Sequence, residues 1–458
     1  MTTVRFIARA AAPRRAGGAA LGALALVAAV SACDLKVAQP DVASPSSVNQ
    51  SGARATLLNG AVSLFSQGYA GNGDSSGVAS LGGMFSDEFT DSDYQERHID
   101  VDKRNVPENS AAVAGAYTAL QRARVASLDV AARYAAADPT SIHAAEAEMI
   151  AAYSFLTFAE NWCNGVPYSN YNGGNLQYGT RTTSAQTYDS ALTHFDKALA
   201  IAVKGDTVHD QDALDVVNTI RVGRGRTLLG QGKFASAAIA VTGVPAGFVY
   251  YLYSSSASTK QYNGVYSWNN SYGRFTAANR EGTNGLNFLS ANDPRVKYQD
   301  AGKFGLDGRT ELIYQMKYPD YGSPMPLASG TEAELIRAEA DLQAGSSNWL
   351  TRLNGLRASA GLSALTDPGT GAGPDSARVA ILFRERAFWL WLTAHRMADM
   401  RRQLRQYGNF FTQSALYPTG SYPKGGNYGT DVVFKVPFDE RNNPNYSGAA
   451  TTCTDMNP

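Results

Sequence analysis

The chain has 458 residues, 44% hydrophobic and 17% charged, so it is able to bury a substantial core and is not disordered as a whole. Its 40 basic residues balance its 40 acidic residues, which argues against nucleic acid as a partner. Glycine (44) and tyrosine (24) are abundant, a composition that suits loops binding neutral polar ligands but also occurs in loop-rich secreted proteins.

Residues 1–32 are predicted to be a lipoprotein signal peptide. Four arginines precede an apolar run, residues 16–30, that is too short to span a bilayer stably. The run ends in Val30-Ser31-Ala32-Cys33, which resembles a bacterial lipobox. The resemblance implies that Cys33 receives a diacylglycerol, and acyl chains there would anchor the protein to a membrane. The alternative is an ordinary secretory signal with a chance cysteine.

Residues 33–49 are polar and rich in proline and serine, as expected of a tether between the lipid and a folded domain. We assign residues 50–458 to a single domain with loop insertions at 68–109, 164–183, 245–321 and 409–458. These segments are too long for simple connections, so we expect them to pack as a second layer over the helices.

Helical periodicity dominates the domain. Predicted helices occupy residues 109–137, 141–162, 184–203 (with Ser184 as the cap), 212–230, a short stretch from 233, 332–343, 350–361, 375–392 and 394–407. Within 217–241 a helix ends at Gly230-Gln231-Gly232 and small residues open the next helix, which resembles a tetratricopeptide unit. The predicted fold class is therefore all-α: tetratricopeptide-like helical pairs, a large loop-rich layer and a few short strands.

Two further cysteines, Cys163 and Cys453, lie after a helix and in the polar C-terminal tail. An exported chain meets oxidising conditions, so we favour a disulfide between them over two free thiols. Neither cysteine has the spacing of a metal site, and we predict no metal and no other cofactor.

Two groups of ionisable residues could suggest catalysis. His395 and Asp399 are four residues apart on a predicted helix, but no supporting nucleophile motif accompanies them, so we interpret them as part of an ion-pair network. The acids at 87, 88, 91 and 93 leave a glycosidase pair or a calcium loop as minor alternatives, although their spacing is not that of an EF-hand. We therefore predict no catalytic residues.

The C-terminal motifs resemble the SusD/RagB family of outer-membrane nutrient-binding lipoproteins. The family's late helix is matched by Ile381, Glu385, Arg386, His395, Arg396, Asp399 and Arg401. Thr393-Ala394 replaces the usual Glu-Gly, and Met400 replaces leucine. Residues 436–444 resemble the family's Pro-Ile-Pro-x2-Glu-x3-Asn-Pro motif, and residues 165–168 its helix-ending Gly-Val-Pro-Tyr.

The resemblance implies a lid-like, non-catalytic lipoprotein that is anchored to the outer membrane and faces outside. It would capture oligosaccharide or peptide for a TonB-dependent outer-membrane transporter. Its binding residues would be aromatic platforms and polar side chains in loops. A lipid-anchored glycoside hydrolase and a purely structural surface lipoprotein are the alternatives from other classes.

A sugar ring needs a flat aromatic surface with polar groups around it, and two loop segments supply both. In residues 261–274 the candidates are Tyr262, Tyr266, Trp268, Asn269, Tyr272 and Arg274; in residues 84–97 they are Asp87, Phe89, Tyr94 and Arg97. The second segment matches a family region from which binding residues often come. Packing of these loops on themselves is the alternative.

Overall fold

The computed structural model describes residues 50, 52–172, 175–204, 210–369, 371–446, 449 and 451–457. The predicted signal peptide, the lipidation site at Cys33 and the tether at 33–49 all lie outside the described residues. Ser51–Pro458 forms one compact unit. No helix in the described part of the chain is long and apolar enough to cross a membrane.

Helices form the scaffold. We number them α1 (Ala53–Tyr69), α2 (Val78–Phe85), α3 (Glu96–Asp102), α4 (Ala111–Ala137), α5 (Ile142–Asn161), α6 (Ser184–Ala202), α7 (Gln211–Gly230), α8 (Phe234–Ala240), α9 (Gly264–Tyr266), α10 (Gly330–Gln343), α11 (Asn348–Ser359), α12 (Ser376–Trp389), α13 (Arg396–Gln406) and α14 (Gln413–Leu416). Helix α1 packs on α4, and α4, α5, α6 and α7 each pack on the next helix along the chain. Helix α8 packs on α10, and α10 on α11. This succession of packed helices confirms the predicted all-α, tetratricopeptide-like class.

Close packing between α6 and α7 depends on glycine. A Cβ atom added at Gly223 would lie 2.3 Å from Cζ of Phe195, and one at Gly230 would lie 2.5 Å from Cε1 of Tyr188. The two rings of α6 therefore rest directly on the backbone of α7. Gly232 has a φ of +73°, a conformation that favours glycine, and it makes the predicted turn into α8.

The strands are short and pair in twos. Their bounds are β1 (Phe89–Asp91), β2 (Val166–Pro167), β3 (Asn170–Asn172), β4 (Asn175–Gln177), β5 (Arg181–Thr182), β6 (Val249–Leu252), β7 (Phe275–Ala277), β8 (Tyr298–Phe304), β9 (Glu311–Gln315) and β10 (Met325–Ser329). The antiparallel pairs are β1–β7, β2–β5, β3–β4, β6–β10 and β8–β9. They lie in the predicted insertions or border them, which agrees with a loop-rich layer holding a few strands.

The insertion at 68–109 differs from the prediction, because it contains helices α2 and α3 as well as loops. All eight residues of α2 are buried, so its sequence lacks the polar face that reveals an amphipathic helix. The N-terminus of α6 also differs. Thr183, and not Ser184, is the N-cap, and it forms a reciprocal capping box with Gln186.

The predicted ion-pair network around the late motif is confirmed. Asp399 accepts two hydrogen bonds from Arg386, at 2.8 and 2.9 Å, and another from Arg402 at 3.0 Å. His395 does not pair with Asp399, because α12 ends at Trp389 and His395 is the N-cap of α13. Its Nε2 instead lies 3.1 Å from Glu332 Oε1. The break between the helices includes Ala394, with a left-handed φ of 63°, at the position where the family has glycine.

A disulfide joins Cys163, just after α5, to Cys453 in the C-terminal tail. This is the pairing that the sequence favoured. Beside it, the side-chain amide of Asn164 donates to both carboxylate oxygens of Asp455, each at 2.8 Å. The disulfide and these hydrogen bonds attach the tail to the end of the helical scaffold.

Candidate ligand-binding site

The two segments predicted to bind ligand pack against each other. Strand β1, in residues 84–97, pairs with β7, which directly follows residues 261–274. Phe89 of β1 lies opposite Ala277 of β7. Nη1 of Arg274 lies 2.5 Å from Oδ2 of Asp93. Much of the aromatic and polar surface of the two segments is therefore buried where they contact each other.

The prediction that Trp268 and Asn269 contact a ligand is wrong. The Trp268 side chain is 5% exposed, its ring stacks on Phe275 with 5.7 Å between centroids, and its Nε1 donates to the carbonyl of Asn72 at 2.9 Å. Asn269 is fully buried and donates to the carbonyls of Phe275 and Ile313. Both side chains are engaged by the protein itself, which leaves little of either surface for a ligand.

The prediction is also wrong for Asp87 and Phe89, which are fully buried. Asp87 accepts two hydrogen bonds from Arg396, at 2.7 and 2.9 Å, and one from the N–H of Leu286. Phe89 packs on Phe275 with 6.0 Å between ring centroids. Asp87 and Phe89 therefore stabilise the interior of the protein.

The neighbouring acids Asp91 and Asp93 are also buried and bind other side chains of the protein. Asp91 is bound by Lys424, and burial followed by repulsion from Asp102 raises its pKa to about 8. Burial also raises the pKa of Asp93, but hydrogen bonds from His98 and Arg274 outweigh it and lower that pKa to about 2. In the described part of the chain, no group of three or more His, Cys, Asp and Glu side chains has metal-site geometry. These buried acids fit neither a calcium loop nor a glycosidase pair.

Three other candidates lie at the surface of the same unit. Tyr94 is 66% exposed, and the guanidinium groups of Arg97 and Arg274 lie 5.8 and 5.7 Å from the centre of the Trp268 ring. Arg274 is held by Asp93, so its charge is already partnered. Ligand contact by Tyr94, Arg97 and Arg274 stays a prediction.

The remaining candidates belong to a cluster that we call the tyrosine rim: Tyr262, Tyr266, Tyr272 and Tyr321. Tyr262 stacks on Tyr321 with 4.0 Å between ring centroids, and Tyr266 meets Tyr321 edge-on at 4.8 Å. Partial burial, followed by the proximity of Tyr321, raises the pKa of both Tyr266 and Tyr272. The rim thus gathers half-buried phenol rings, and Tyr262 connects it to a large cavity.

That cavity, which we call the tyrosine cleft, has a volume of about 600 Å³. Helix α1, the N-terminal turns of α5 and α7, strand β6 and the loop after β6 form its walls. Its lining includes Asn59, Gln67, His143, Glu146, Asp212, Asp215, Tyr250, Tyr251, Tyr253, Lys260 and Tyr262. Several rings and many polar groups therefore converge on one concave surface, as in sites for small polar ligands.

The most exposed rings of the cleft come from β6 and the residue after it. Tyr253 is 80% exposed and Tyr251 is 37% exposed, with 6.3 Å between their ring centroids. Residues two apart on a strand share a face, and the intervening Leu252 is buried. Neither tyrosine was among the contacts predicted from the sequence, because Val249–Tyr253 (Val-Tyr-Tyr-Leu-Tyr) shows no alternation of apolar and polar residues.

The polar wall comes from two helix N-termini. Glu146 of α5 accepts a hydrogen bond from the Tyr250 hydroxyl at 3.0 Å, and burial together with Glu146 raises the pKa of Tyr250. Asp215 of α7 accepts one from the side-chain amide of Gln211 at 2.8 Å. Both carboxylates have oxygens that are not committed to an arginine or lysine among the described residues, so they are suited to accept hydrogen bonds from hydroxyl groups.

The loop that completes the cleft is held in place by its neighbours. The N–H of Gly73 donates to the carbonyl of Thr259 at 2.8 Å, and the Thr259 hydroxyl donates to Asp74 at 3.1 Å. Within the loop, the N–H of Ser255 donates to the carbonyl of Gln261 at 2.8 Å. These bonds fix Tyr253 and Tyr262 on one preformed surface.

A second groove, the α4 groove, has a volume of about 860 Å³ and lies between α4 and strands β3 and β4. Tyr171 and Leu176 are exposed on its strand side, and Val125 and Leu128 are on its helix side. The lining of the α4 groove is more aliphatic than that of the tyrosine cleft. Among its described residues Tyr171 is the exposed aromatic ring, whereas several tyrosines line the cleft. The tyrosine cleft is therefore the better candidate for a sugar.

No family model matches the sequence, and a search of curated proteins finds no match either. Solved structures do match the fold. The surface glycan-binding protein A from Bacteroides uniformis aligns with a TM-score of 0.64 over 86% of this chain and 98% of that one, at 14% identity. A SusD superfamily protein from Parabacteroides distasonis aligns with a TM-score of 0.63 over 86% and 98% of the two chains, at 15% identity.

A SusD/RagB family protein from Bacteroides thetaiotaomicron aligns with a TM-score of 0.57 over 79% of this chain and 90% of that one, at 16% identity. The similarity extends over nearly the whole of each solved chain, although few residues are identical. The structural neighbours agree with the resemblance that the late helix and the C-terminal motif indicate. The chain therefore has the fold of the SusD superfamily.

Proposed function

We propose that this protein is a surface-exposed, lipid-anchored binding protein that holds an oligosaccharide nutrient in the tyrosine cleft. The observation that carries the proposal is the pair of exposed rings, Tyr251 and Tyr253, beside the hydrogen-bonding groups of Glu146 and Asp215 in one cavity. A sugar presents apolar C–H faces to a ring and hydroxyl groups to the side chains around it.

The cleft would bind the sugar by stacking and by direct hydrogen bonds. One sugar ring would lie on Tyr253, and the oxygens of Glu146 and Asp215 would accept hydrogen bonds from its hydroxyls. Asn59 and Gln67 of α1 line the same cavity and would supply amide donors and acceptors. Because the wall is preformed, little conformational entropy would be lost on binding.

Two observations outside the cleft also support this proposal: the names of the structural neighbours and the N-terminal sequence. One structural neighbour is named as a surface glycan-binding protein, and the others as SusD superfamily members. The lipobox-like sequence ending at Cys33 supports anchoring at the outer membrane, with the domain facing outside. Delivery to a TonB-dependent transporter, and a peptide as the alternative ligand, follow from the resemblance in sequence motifs.

Binding is tested by titrating the purified protein with a panel of neutral oligosaccharides in a calorimeter. We expect saturable binding that Tyr253→Ala weakens and Tyr253→Phe largely preserves, because the ring and not the hydroxyl does the stacking. Tyr171→Ala, in the α4 groove, is the matched control and should bind normally. Absence of binding to any oligosaccharide would contradict the proposal, and binding to peptides alone would replace it.

The hydrolase alternative is tested on the same samples. Chromatography of each bound oligosaccharide after long incubation should recover it intact. Shorter products that disappear in Glu146→Gln or Asp215→Asn would show that the cleft is an active site.

The membrane anchor and the delivery of ligand to a transporter are tested in cells. We expect the protein in the outer-membrane fraction and its Cys33→Ala variant in the soluble fraction, because the variant lacks the acylated thiol. A TonB-dependent transporter should co-purify with the wild-type protein from detergent-solubilised membranes. Recovery of the wild type in the soluble fraction would contradict the anchor.

A further inference from the structure

The lining of the tyrosine cleft has an asymmetric charge. Three carboxylates face it, Glu146 from α5 and Asp212 and Asp215 from α7. Among the described residues of the lining, the basic groups are Lys260 and the imidazole of His143. The cleft is thus acidic in a chain whose overall charges balance, so the asymmetry belongs to the site itself.

No described lysine or arginine side chain neutralises these carboxylates. Glu146 accepts a hydrogen bond from the uncharged Tyr250 hydroxyl, and His143 Nδ1 lies 3.6 Å from its other oxygen. Asp215 accepts from the uncharged amide of Gln211. In the described part of the chain, no arginine or lysine forms an ion pair with any of the three. This contrasts with the interior acids Asp87 and Asp399, which have arginine partners.

The excess of negative charge in the tyrosine cleft affects which sugars can bind there. A cleft lined by charges of one sign concentrates its own field and repels ligands of the same sign. A uronic acid or a sulfate on the sugar would lie among three carboxylates, with Lys260 as the opposing cation. A neutral sugar escapes this repulsion, and an amine-bearing sugar would be attracted.

Resting on the proposed function, we infer that the tyrosine cleft accepts neutral or amine-bearing oligosaccharides and excludes those that carry uronic acid or sulfate groups. The exposed tyrosines provide the stacking surface for any of these sugars. The carboxylates of α5 and α7 discriminate between them.

The test is an array that carries neutral, amine-bearing, uronic and sulfated oligosaccharides, probed with the full protein at low and high salt. We expect neutral or amine-bearing sugars to bind and acidic ones to be at least about tenfold weaker, which corresponds to about 1.4 kcal/mol. Higher salt should narrow the gap between the classes, because it screens the carboxylates.

Two variants make the test specific. Asp212→Asn should strengthen the signal from acidic sugars and leave neutral sugars within a few-fold of wild type, because Asp212 lines the cleft but is not one of the carboxylates that hold the sugar. Tyr253→Ala should weaken every sugar that uses the cleft. Strong binding of acidic sugars that is lost in Tyr253→Ala would overturn the inference and leave the proposed function standing. No binding of any sugar would overturn both.

Discussion

Arg396 and Asp87, which are 309 residues apart in the sequence, form a buried bidentate ion pair with hydrogen bonds of 2.7 and 2.9 Å. The pair joins the start of α13 to the segment between α2 and β1. It explains why a carboxylate that looks like a ligand contact in the sequence is a structural residue. The arginine belongs to the late motif that suggested the family resemblance, and its partner came from the predicted binding loop.

We predict that Asp87→Asn lowers the free energy of unfolding by about 3–5 kcal/mol, because it leaves the buried guanidinium of Arg396 without a counter-charge. Urea unfolding followed by circular dichroism measures the change. The double variant Asp87→Asn with Arg396→Met should recover part of the loss, since it removes both charges. A single variant as stable as wild type would show that the pair contributes nothing.

Tyr253 and Trp268 should respond oppositely to truncation. Tyr253→Ala removes an exposed ring and should weaken sugar binding about tenfold, or about 1.4 kcal/mol, without lowering the melting temperature. Trp268→Ala removes a buried ring and should lower the free energy of unfolding by about 3–5 kcal/mol. Calorimetric titration and thermal melts of both variants separate these effects. A stable Trp268→Ala protein that has lost binding would restore Trp268 as a ligand contact.

The disulfide between Cys163 and Cys453 should stabilise the fold by restricting the unfolded chain. The double variant Cys163→Ser with Cys453→Ser is expected to lose about 2–4 kcal/mol of unfolding free energy. Reductant should bring the wild type to the same urea midpoint and leave the variant unchanged. Equal midpoints for oxidised wild type and variant would contradict a stabilising disulfide.

Glu88 should make stability depend on pH. Burial raises the pKa of its carboxyl to about 8, against the opposing hydrogen bond from the N–H of Leu392. The unfolded chain releases this proton near pH 4.3, roughly the value for an exposed glutamate. The neutral carboxyl therefore contributes stability that is complete below that pH and is lost as the pH rises through about 8.

Glu88→Gln isolates this contribution, because glutamine keeps the uncharged shape and does not titrate. We expect the stability of the variant relative to wild type to increase between pH about 5 and about 8, by at least about 1 kcal/mol. Urea unfolding of both proteins across that range measures the difference. A difference that stays constant with pH would contradict a raised pKa for Glu88.

The scaffold was predictable from the sequence where helices have one apolar and one polar face. Helices α4 to α7 lie within about two residues of their predicted bounds, which is the usual uncertainty of helix ends. Helix α2 was not predictable in this way, because every one of its side chains is buried and no polar stripe marks it. The gap between α12 and α13 spans residues 390–395 and is longer than the single residue predicted, because Leu392 and Ala394 take left-handed conformations that their residue types do not signal.

The site was harder to predict, because composition does not distinguish a buried ring from an exposed one. The pairing of β1 with β7 buries Phe89 and the rings beside it, and that contact joins segments far apart in the sequence. Tyr262 lies at a cavity, but Tyr251 is in β6 and Tyr253 directly follows that strand, within a segment that was predicted to be a loop insertion. Which face of a strand meets solvent depends on its partner, here β10, and not on the strand alone.

The most direct test of the central claim is a crystal structure of the protein with an oligosaccharide that binds in solution. The account predicts a sugar ring on Tyr253, with hydroxyls within hydrogen-bond distance of Glu146 or Asp215. A sugar in the α4 groove beside Tyr171, or on the surface around Tyr94, with the tyrosine cleft empty, would contradict it.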